Sequence, residues 1–505
     1  MAADTIKLKE VLTKKAFTRI TPFGYGLGTI SILPEDFGID RPQWKVVTQA
    51  DFLREYYPDG HLINDPAYYP DKVSIDPETK RPYEEKVFRC NFAFQKIIAT
   101  KQLIHLCGND VRFELAEPKE SQGQINDFFM YKKGWQMKHS EHAWYLLAKS
   151  VKITGDGAVA GYLDNGVFGW RNFSFMTGDR LYPQFDNLKK LKLLAREYNS
   201  YDEDGKAVTS FVEVWDKVNH TTYKKPLSGI KAGAIKVLEV FGLTGYALVE
   251  QKAHGFTSIP VVYHREDDGA CWSDSQDSCD KYEIAVSHLC QNNLAYAFPI
   301  LFLKGEKVDI QGSNDIYRPV KAITGDKDSL ASFLNTPDGS SSFELQLKIL
   351  INNIFMGSFT VLPPDVKSSG DLPGVTIKLL YSPAIEKAMA DASEFDQAIA
   401  DMTTIFAHGY GLEVDRMTAF VNLPINSWIE PYVHQNVAEL MQNLQLGVVG
   451  GFLSKDTASE LTPYAKNDEN FRLIKQAAAE NQADLLTDTN LNKPDKPVTP
   501  VKVML

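Results

Sequence analysis

Three consecutive stretches decide the fold: SSFELQLKILINNIFM (341–356), GSFTVLPPDVKSSGDLPG (357–374) and, just beyond, PAIEKAMADASEFDQAIADMTTIFA (383–407). The first opens with Ser341-Ser342-Phe343-Glu344, a capping-box pattern that starts a helix. That helix is apolar at Phe343, Leu347, Leu350 and Ile354, and also at Leu345, Ile349 and Phe355 on other faces. A helix apolar nearly all round must be covered on several sides, by a deep core or by neighbouring subunits. In the second stretch, Pro363, Pro364 and Pro373 remove backbone donors, while Ser368, Ser369 and Gly370 permit bending, so it is a loop. In the third, Ile385, Ala388, Ala392, Phe395, Ile399, Met402 and Phe406 recur in alternating steps of three and four. Such a seam packs along another long helix, and at 1.5 Å per residue this one is about 37 Å long.

Outward from this centre the chain reads as mixed α+β. Residues 1–85, rich in Tyr, Pro and Asp, suggest an irregular arm with little periodic structure. NFAFQKIIATKQLIHL (91–106) has helical spacing at Phe94, Ile97, Ile98 and Leu103, and a second helix is expected over 127–150. AVAGYLD (158–164), NFSFMT (172–177), LKLLAREYN (191–199) and SFVEVWDKV (210–218) are strand-like, with Asp202-Glu203-Asp204-Gly205 as a hairpin loop between the last two. After Pro260, a helix led by Ser and Asp carries an apolar face of Tyr282, Val286, Leu289, Cys290, Leu294 and Ala297. Short strand-like pieces fill 298–338. Helices EPYVHQNVAELMQNLQL (430–446) and DENFRLIKQAAAE (468–480) come late, joined by Gly-rich and Ser-capped turns, and the polar, proline-bearing end reads as a disordered tail.

The 505 residues carry 44% apolar side chains, an ordinary globular share, and a net charge of -11, which argues against a simple coat of positive charge for gripping phosphates. Cys90, Cys107, Cys271, Cys279 and Cys290 form no C-x-x-C pair, so a zinc site is not expected and free thiols are. The N-terminus lacks a secretory apolar core, and the longest charge-free apolar stretch near the middle, 294–303, is too short for a bilayer and contains Pro299. The chain reads as soluble and intracellular when made.

No catalytic, cofactor-binding or metal signature stands out. Gly24-Tyr25-Gly26-Leu27-Gly28 is glycine-rich but lacks the strand-then-helix context and the Gly-Lys-Ser/Thr of a phosphate loop; a flexible turn is the simpler reading. Asp267, Asp268, Asp274, Asp277 and Asp280 could hold a divalent ion, but capping of the helix behind them accounts for them more simply. His408 and His434 read as solitary polar or cap residues. A long chain with no reaction site and this arrangement of helices reads as a mechanical assembly protein.

The order of segments from about Asn91 to Glu480 resembles the portal proteins of long-tailed phages. HAWYLLAKSVKITGDGAVAGYLD (142–164) looks like the family's helix, glycine turn and strand. GFTSIPVVYHRED (255–267) resembles its Ile-Pro-Val strand before the first stem helix, and ILFLKG (300–305) its approach to the clip. DLPGVTIKLLYSPAIEKA (371–388) is similar to the start of its long helix; Gly374 and Lys378 fit, but Pro373 stands where Ser is usual. LQLGVVGGFLSKDTASELTPYAKNDENFRLIKQ (444–476) resembles its C-terminal pattern. The resemblance places no counterpart for residues 1–85.

The resemblance implies a portal-like subunit: an N-terminal arm (1–85), an α/β wing (86–262), a first stem helix (263–297), a small α/β clip (298–338), a second stem helix (339–356), a tunnel loop (357–374), a long helix with wing return (375–426), a helical crown (427–486) and the tail (487–505). Phe343, Leu347, Leu350 and Ile354 would pack the stem. Asp365, Lys367, Ser368, Ser369, Gly370 and Asp371 would face DNA at the narrowest point, unless the loop is a passive surface connection. About twelve copies would form a ring at one capsid vertex of the virion, after assembly in the host cytoplasm. Its partners would be the major capsid protein and scaffold, the terminase large subunit, a head–tail adaptor and double-stranded DNA, with no membrane and no cofactor. The alternatives are an enzyme of unrecognised class, using 24–28 or 267–280, and another ring-forming head or tail protein.

Overall fold

A computed structural model describes residues 18–21, 45–75, 80–116, 122–226, 246–296, 301–304, 308–311, 322–325, 330–333, 340–362, 378–433, 437–462, 472–473 and 475–476. The chain divides into two compact units, 1–362 with 383–432, and 363–382 with 433–505. Helix and sheet are mixed, as an α+β class requires.

In the first unit, β1 (Thr18–Thr21) pairs antiparallel with β2 (Lys45–Thr48), which runs into α1 (Gln49–Tyr56). The expectation of little periodic structure fails over 45–64. Thr48 and Asp51 form a reciprocal capping box, and Val47, Phe52 and Ile63 are buried. Too few apolar residues lie in so short a helix for periodicity to reveal it. A hairpin of β3 (Lys72–Ile75) and β4 (Pro82–Glu85) precedes α2 (Phe94–Cys107) and β5 (Arg112–Leu115). The single helix expected over 127–150 is two, α3 (Gln122–Met137) and α4 (Ser140–Thr154). His139 breaks them, held at φ 52 in the left-handed region.

Next, β6 (Asp156–Asp164) and β7 (Val167–Phe173) begin a small sheet. NFSFMT does not continue as a strand beyond Phe173: Ser174 caps a 3-10 turn by accepting from Met176 N at 3.2 Å. A five-stranded antiparallel sheet follows, built from β8 (Arg180–Phe185), β9 (Leu191–Tyr201), β10 (Ala207–Trp215), β11 (Asn219–Pro226) and β12 (Ala247–Ala253) in sequential order. Its β9–β10 turn is closed by the Asp202 carboxylate, which accepts from the backbone N–H of Asp204 and Lys206, with Gly205 at φ 74. β13 (Val261–Arg265) returns to pair with β6.

α5 (Gln276–Tyr296) leads to two hairpin pairs: β14 (Leu301–Lys304) with β17 (Leu330–Phe333), and β15 (Val308–Gln311) with β16 (Ala322–Gly325). Then come α6 (Ser340–Gly357), α7 (Ser382–Glu413), the short α8 (Met417–Val421) and β18 (Ile425–Trp428), which pairs with β5. The seam of α7 is buried as its spacing predicts, at Ala388, Phe395, Ile399, Met402 and Phe406. Among the described residues, its ring contacts come from two helices and a sheet rather than from one helix alone. Phe406 meets Tyr131 and Trp135 of α3 and Phe168 of β7, and Phe395 meets Trp144 of α4 and His264 of β13. Aromatic rings from two helices and a sheet supply the depth that a partner helix would have given. His408, expected as a solitary polar residue, is buried on α7 against Phe256.

The second unit contains α9 (Val437–Val449) and α10 (Lys455–Leu461). Ser454 caps α10, accepting from Thr457 N at 3.0 Å. EPYVHQNVAELMQNLQL is helical only from Val437 among the described residues. Residues 24–28, the 363–374 part of the loop with all six of its DNA-facing candidates, His434, most of 468–480 and the tail lie outside the described residues.

Candidate functional site: an apolar helix on a polar base

α5 and α6 pack against each other, and their shared base sits in a core of Val47, Phe52, Phe94, Ile98, Ile153, Trp272, Cys279, Ile354 and Phe355. The expected apolar face of α5 is not what the fold buries. Tyr282, Val286 and Leu289 are half-buried, whereas Gln276, Asp280, Glu283 and Ser287 are buried. These polar groups are bonded, as burial demands. Gln95 donates to Gln276 Oε1 (2.9 Å), Gln276 donates to Asp280 Oδ1 (2.9 Å), and Ser275 Oγ donates to the Ile354 carbonyl of α6 (2.8 Å).

His61 lies at the centre of this base. Its Nδ1 is 2.7 Å from Glu283 Oε1 and its Nε2 is 2.6 Å from the Glu55 carbonyl. With acceptors at both nitrogens, and Phe92 N donating to the same Glu283 oxygen at 2.8 Å, the arrangement suits an imidazolium facing a carboxylate. Burial pulls the His61 pKa down, but Glu283, with the Glu55 carbonyl and Asp280, more than offsets it and the net direction is up. Burial pushes Asp280 up to about 7. The five aspartates of 267–280 do not converge: Asp267 faces Arg265 (3.7 Å), Asp277 pairs with Lys281 (2.5 Å), and Asp280 sits inside the helix rather than capping it.

Sequence reading missed a second charged cluster. Lys152 of α4, fully buried, pairs with Glu266 and Asp391 at 2.9 Å each, and Lys387 pairs with Asp391 at 2.7 Å. Glu394 completes a group of three carboxylates with oxygens within 4.8 Å of one another. The two ammonium groups already supply the positive charge a divalent ion would bring, so this is an ion-pair knot fastening α7 to α4 and to the segment after β13. The signal was present in the sequence: Lys152 lies eight residues after Trp144, and Asp391 falls one residue before Ala392 of the seam.

α6 carries the four residues expected to pack. Ile354 is fully buried; Phe343, Leu347 and Leu350 are half-buried. Other apolar residues on it face outward: Leu345 is 59% exposed, Ile349 49% and Met356 76%. Phe359 and Leu362, just beyond its end, are exposed too. A soluble chain rarely leaves such a row uncovered unless something else covers it. Among the described residues no helix is long and apolar enough to cross a membrane.

Residues 39–484 match the family described as "Phage portal protein, SPP1 Gp6-like". The chain belongs to the phage portal protein family. No curated protein is similar to this portal chain in sequence. Among solved structures, a chain of the "Neck of empty GTA particle computed with C6 symmetry" is similar over 71% of the portal chain and 86% of its own length, at 11% identity and a TM-score of 0.37. So low a score leaves the assignment to the family match. The portal family is structural, and a portal is a component of the virion capsid.

Proposed function

We propose that about twelve copies of the chain close into the ring at one capsid vertex through which double-stranded DNA enters and leaves. The family match over 39–484 carries this reading, and the uncovered apolar side of α6 supports it. In this assignment 1–85 is an arm, 86–262 and 375–426 are the wing, 263–297 and 339–356 the stem, 298–338 the clip and 427–486 the crown. Phe343, Leu347 and Leu350 pack between subunits. The terminase large subunit docks during packaging and hydrolyses the ATP; a head–tail adaptor binds later; the major capsid protein and scaffold surround the ring, which is assembled in the host cytoplasm. The chain itself does no chemistry and needs no cofactor.

The loop 357–374 lines the channel. Of its charged residues, Lys367 stands against Asp365 and Asp371, so each subunit grips phosphate weakly, as sliding DNA requires. Negative-stain imaging of purified protein, with no metal or nucleotide added, tests the ring. A ring with a central channel is expected; a compact monomer at micromolar concentration sinks the reading. Replacing 364–372 with a Gly-Ser linker tests the loop: procapsids form but packaging fails, and normal packaging removes the loop from the channel.

A further inference from the structure

Residues 88–92 run along α5 as a strap. Phe88 N donates to Gln291 Oε1 (3.2 Å), Cys90 N to Ser287 Oγ (2.9 Å) and Phe92 N to Glu283 Oε1 (2.8 Å). Alternate strap residues thus meet acceptors four apart on the helix, in the opposite chain direction. Two residues of extended chain cover about 6.6 Å and four residues of helix about 6 Å, so the two repeats keep step. In the middle of this ladder Cys90 Sγ lies 3.7 Å from Cys290 Sγ. Both cysteines are half-buried and so within reach of a small reagent.

The other three thiols are poorly placed to compete. Burial holds Cys107, Cys271 and Cys279 well above the usual thiol range, which suppresses their thiolates. Burial, and then the neighbouring sulfur, also raises Cys90, so the pair reacts faster as pH rises. A disulfide is about 2.05 Å long, so the sulfurs must close by roughly 1.6 Å. The strap is fastened to the helix by three backbone donors, and a side-chain rotation with a small slide of the strap covers that distance.

We propose that Cys90 and Cys290 form a redox-closable staple: a two-electron oxidant joins their sulfurs and fixes the 88–92 strap to α5. With an azodicarboxamide such as diamide, one thiolate adds to the N=N bond and the other attacks that sulfur, expelling the hydrazine. One S–S bond forms, and the two protons and two electrons of the thiols end on the reduced reagent. The bond links residues 200 apart in sequence, so it constrains a long segment of chain. On the portal reading, the staple stays open in the reducing cytoplasm and closes once the particle leaves the cell. Only that timing rests on the portal reading; the staple itself does not.

The test uses the full-length protein treated with diamide or with a phosphine reductant, then denatured, alkylated with iodoacetamide and mapped by mass spectrometry. After diamide, the peptides bearing Cys90 and Cys290 should appear as one species two hydrogens lighter than their sum, restored by the reductant and absent from Cys90→Ser and Cys290→Ser. Tryptic cleavage at Lys86 and Arg89 should slow about tenfold in the oxidised wild type, because the strap must lift off before it is cut. Full alkylation of both thiols after oxidation, or cross-links from either to another chain, overturns the staple. Cleavage at an unchanged rate in cross-linked protein overturns its fixing of the strap. A protein that forms the cross-link but no ring refutes the portal reading alone.

Discussion

α6 and α7 are both rich in apolar residues, yet the fold treats them oppositely. α7 keeps most of its apolar residues on one stripe and buries that stripe within its own subunit, against α3, α4, β7 and β13, leaving Met389 and Leu412 outside it. α6 spreads them round its circumference and buries only its last turns, at Ile354 and Phe355. Periodicity, not apolar content, tells where a helix finds its cover. A one-sided helix is satisfied by its own chain; one apolar on every side keeps faces that the described residues of its own chain leave exposed.

The sharpest way to break that contrast is to cut into α7. Phe406 is fully buried and touches Tyr131, Trp135, Phe168 and Tyr410 with ring centroids 5.0–5.7 Å apart. Phe406→Ala should cost about 3–5 kcal/mol, read as a lower denaturant midpoint at unchanged slope. Lys152→Ala should cost a similar amount, because it leaves Glu266 and Asp391 in the interior with only the less buried Lys387 to face them both. A loss under about 1 kcal/mol from either would mean that the wall behind α7 is not the rigid support its packing implies.

The two helices also differ in how far the sequence disclosed them. The seam of α7 was legible at Ala388, Phe395, Ile399, Met402 and Phe406, which stand on a helical repeat and are buried; Ile385 and Ala392, on the same repeat, are half-buried. That the seam's partners are two helices and a sheet was not legible, since Tyr131, Trp135 and Phe168 are brought to it only by tertiary structure. For α6 the excess of apolar residues was legible, and which of them stay exposed was not. The face of α5 was misread because its apolar residues mark a half-covered side, while His61, Gln95 and the strap satisfy polar residues that only long-range contacts could justify burying. α1 went unseen for want of length. The Lys152 knot went unseen because its members come from three separate segments.

A smaller effect separates burial of charge from burial of apolar surface. Asp156, at the foot of β6, is buried and accepts from Gln49 Nε2 (2.6 Å) and Tyr263 Oη (3.1 Å). Burial pushes its pKa up to about 7, although those two bonds oppose the rise. The folded state therefore binds a proton that the unfolded chain has released, and stability falls as pH rises from about 4 to about 7. Asp280 and Glu141, each also held at about 7, act in the same direction. Asp156→Asn mimics the protonated carboxyl. It should shrink the stability difference between pH 5 and pH 8 by on the order of 1–2 kcal/mol in paired denaturant titrations. An unchanged difference would show that Asp156 ionises freely in the fold.

The smallest expected effect on folding belongs to the exposed side of α6, where the effect on assembly should be largest. Leu345 and Ile349 are among the most exposed apolar side chains of this helix, four residues apart on one face. In the free subunit, Asp at either position stays in water, so Leu345→Asp and Ile349→Asp should each shift stability by no more than about 0.5 kcal/mol. In a ring that covers this face, the same carboxylates are buried without partners, which costs several kcal/mol at every subunit contact. Ring formation should therefore be lost while the monomer melts as before, a pair of results that light scattering and thermal melting read separately. Ile354→Asp is the control in the same helix: its side chain is fully buried in the subunit's own core, so it should unfold the base rather than only disperse the ring. If Leu345→Asp and Ile349→Asp rings assemble normally, that face of α6 is not a subunit contact. If they unfold the monomer, the face is already covered within the chain, and the contrast with α7 collapses.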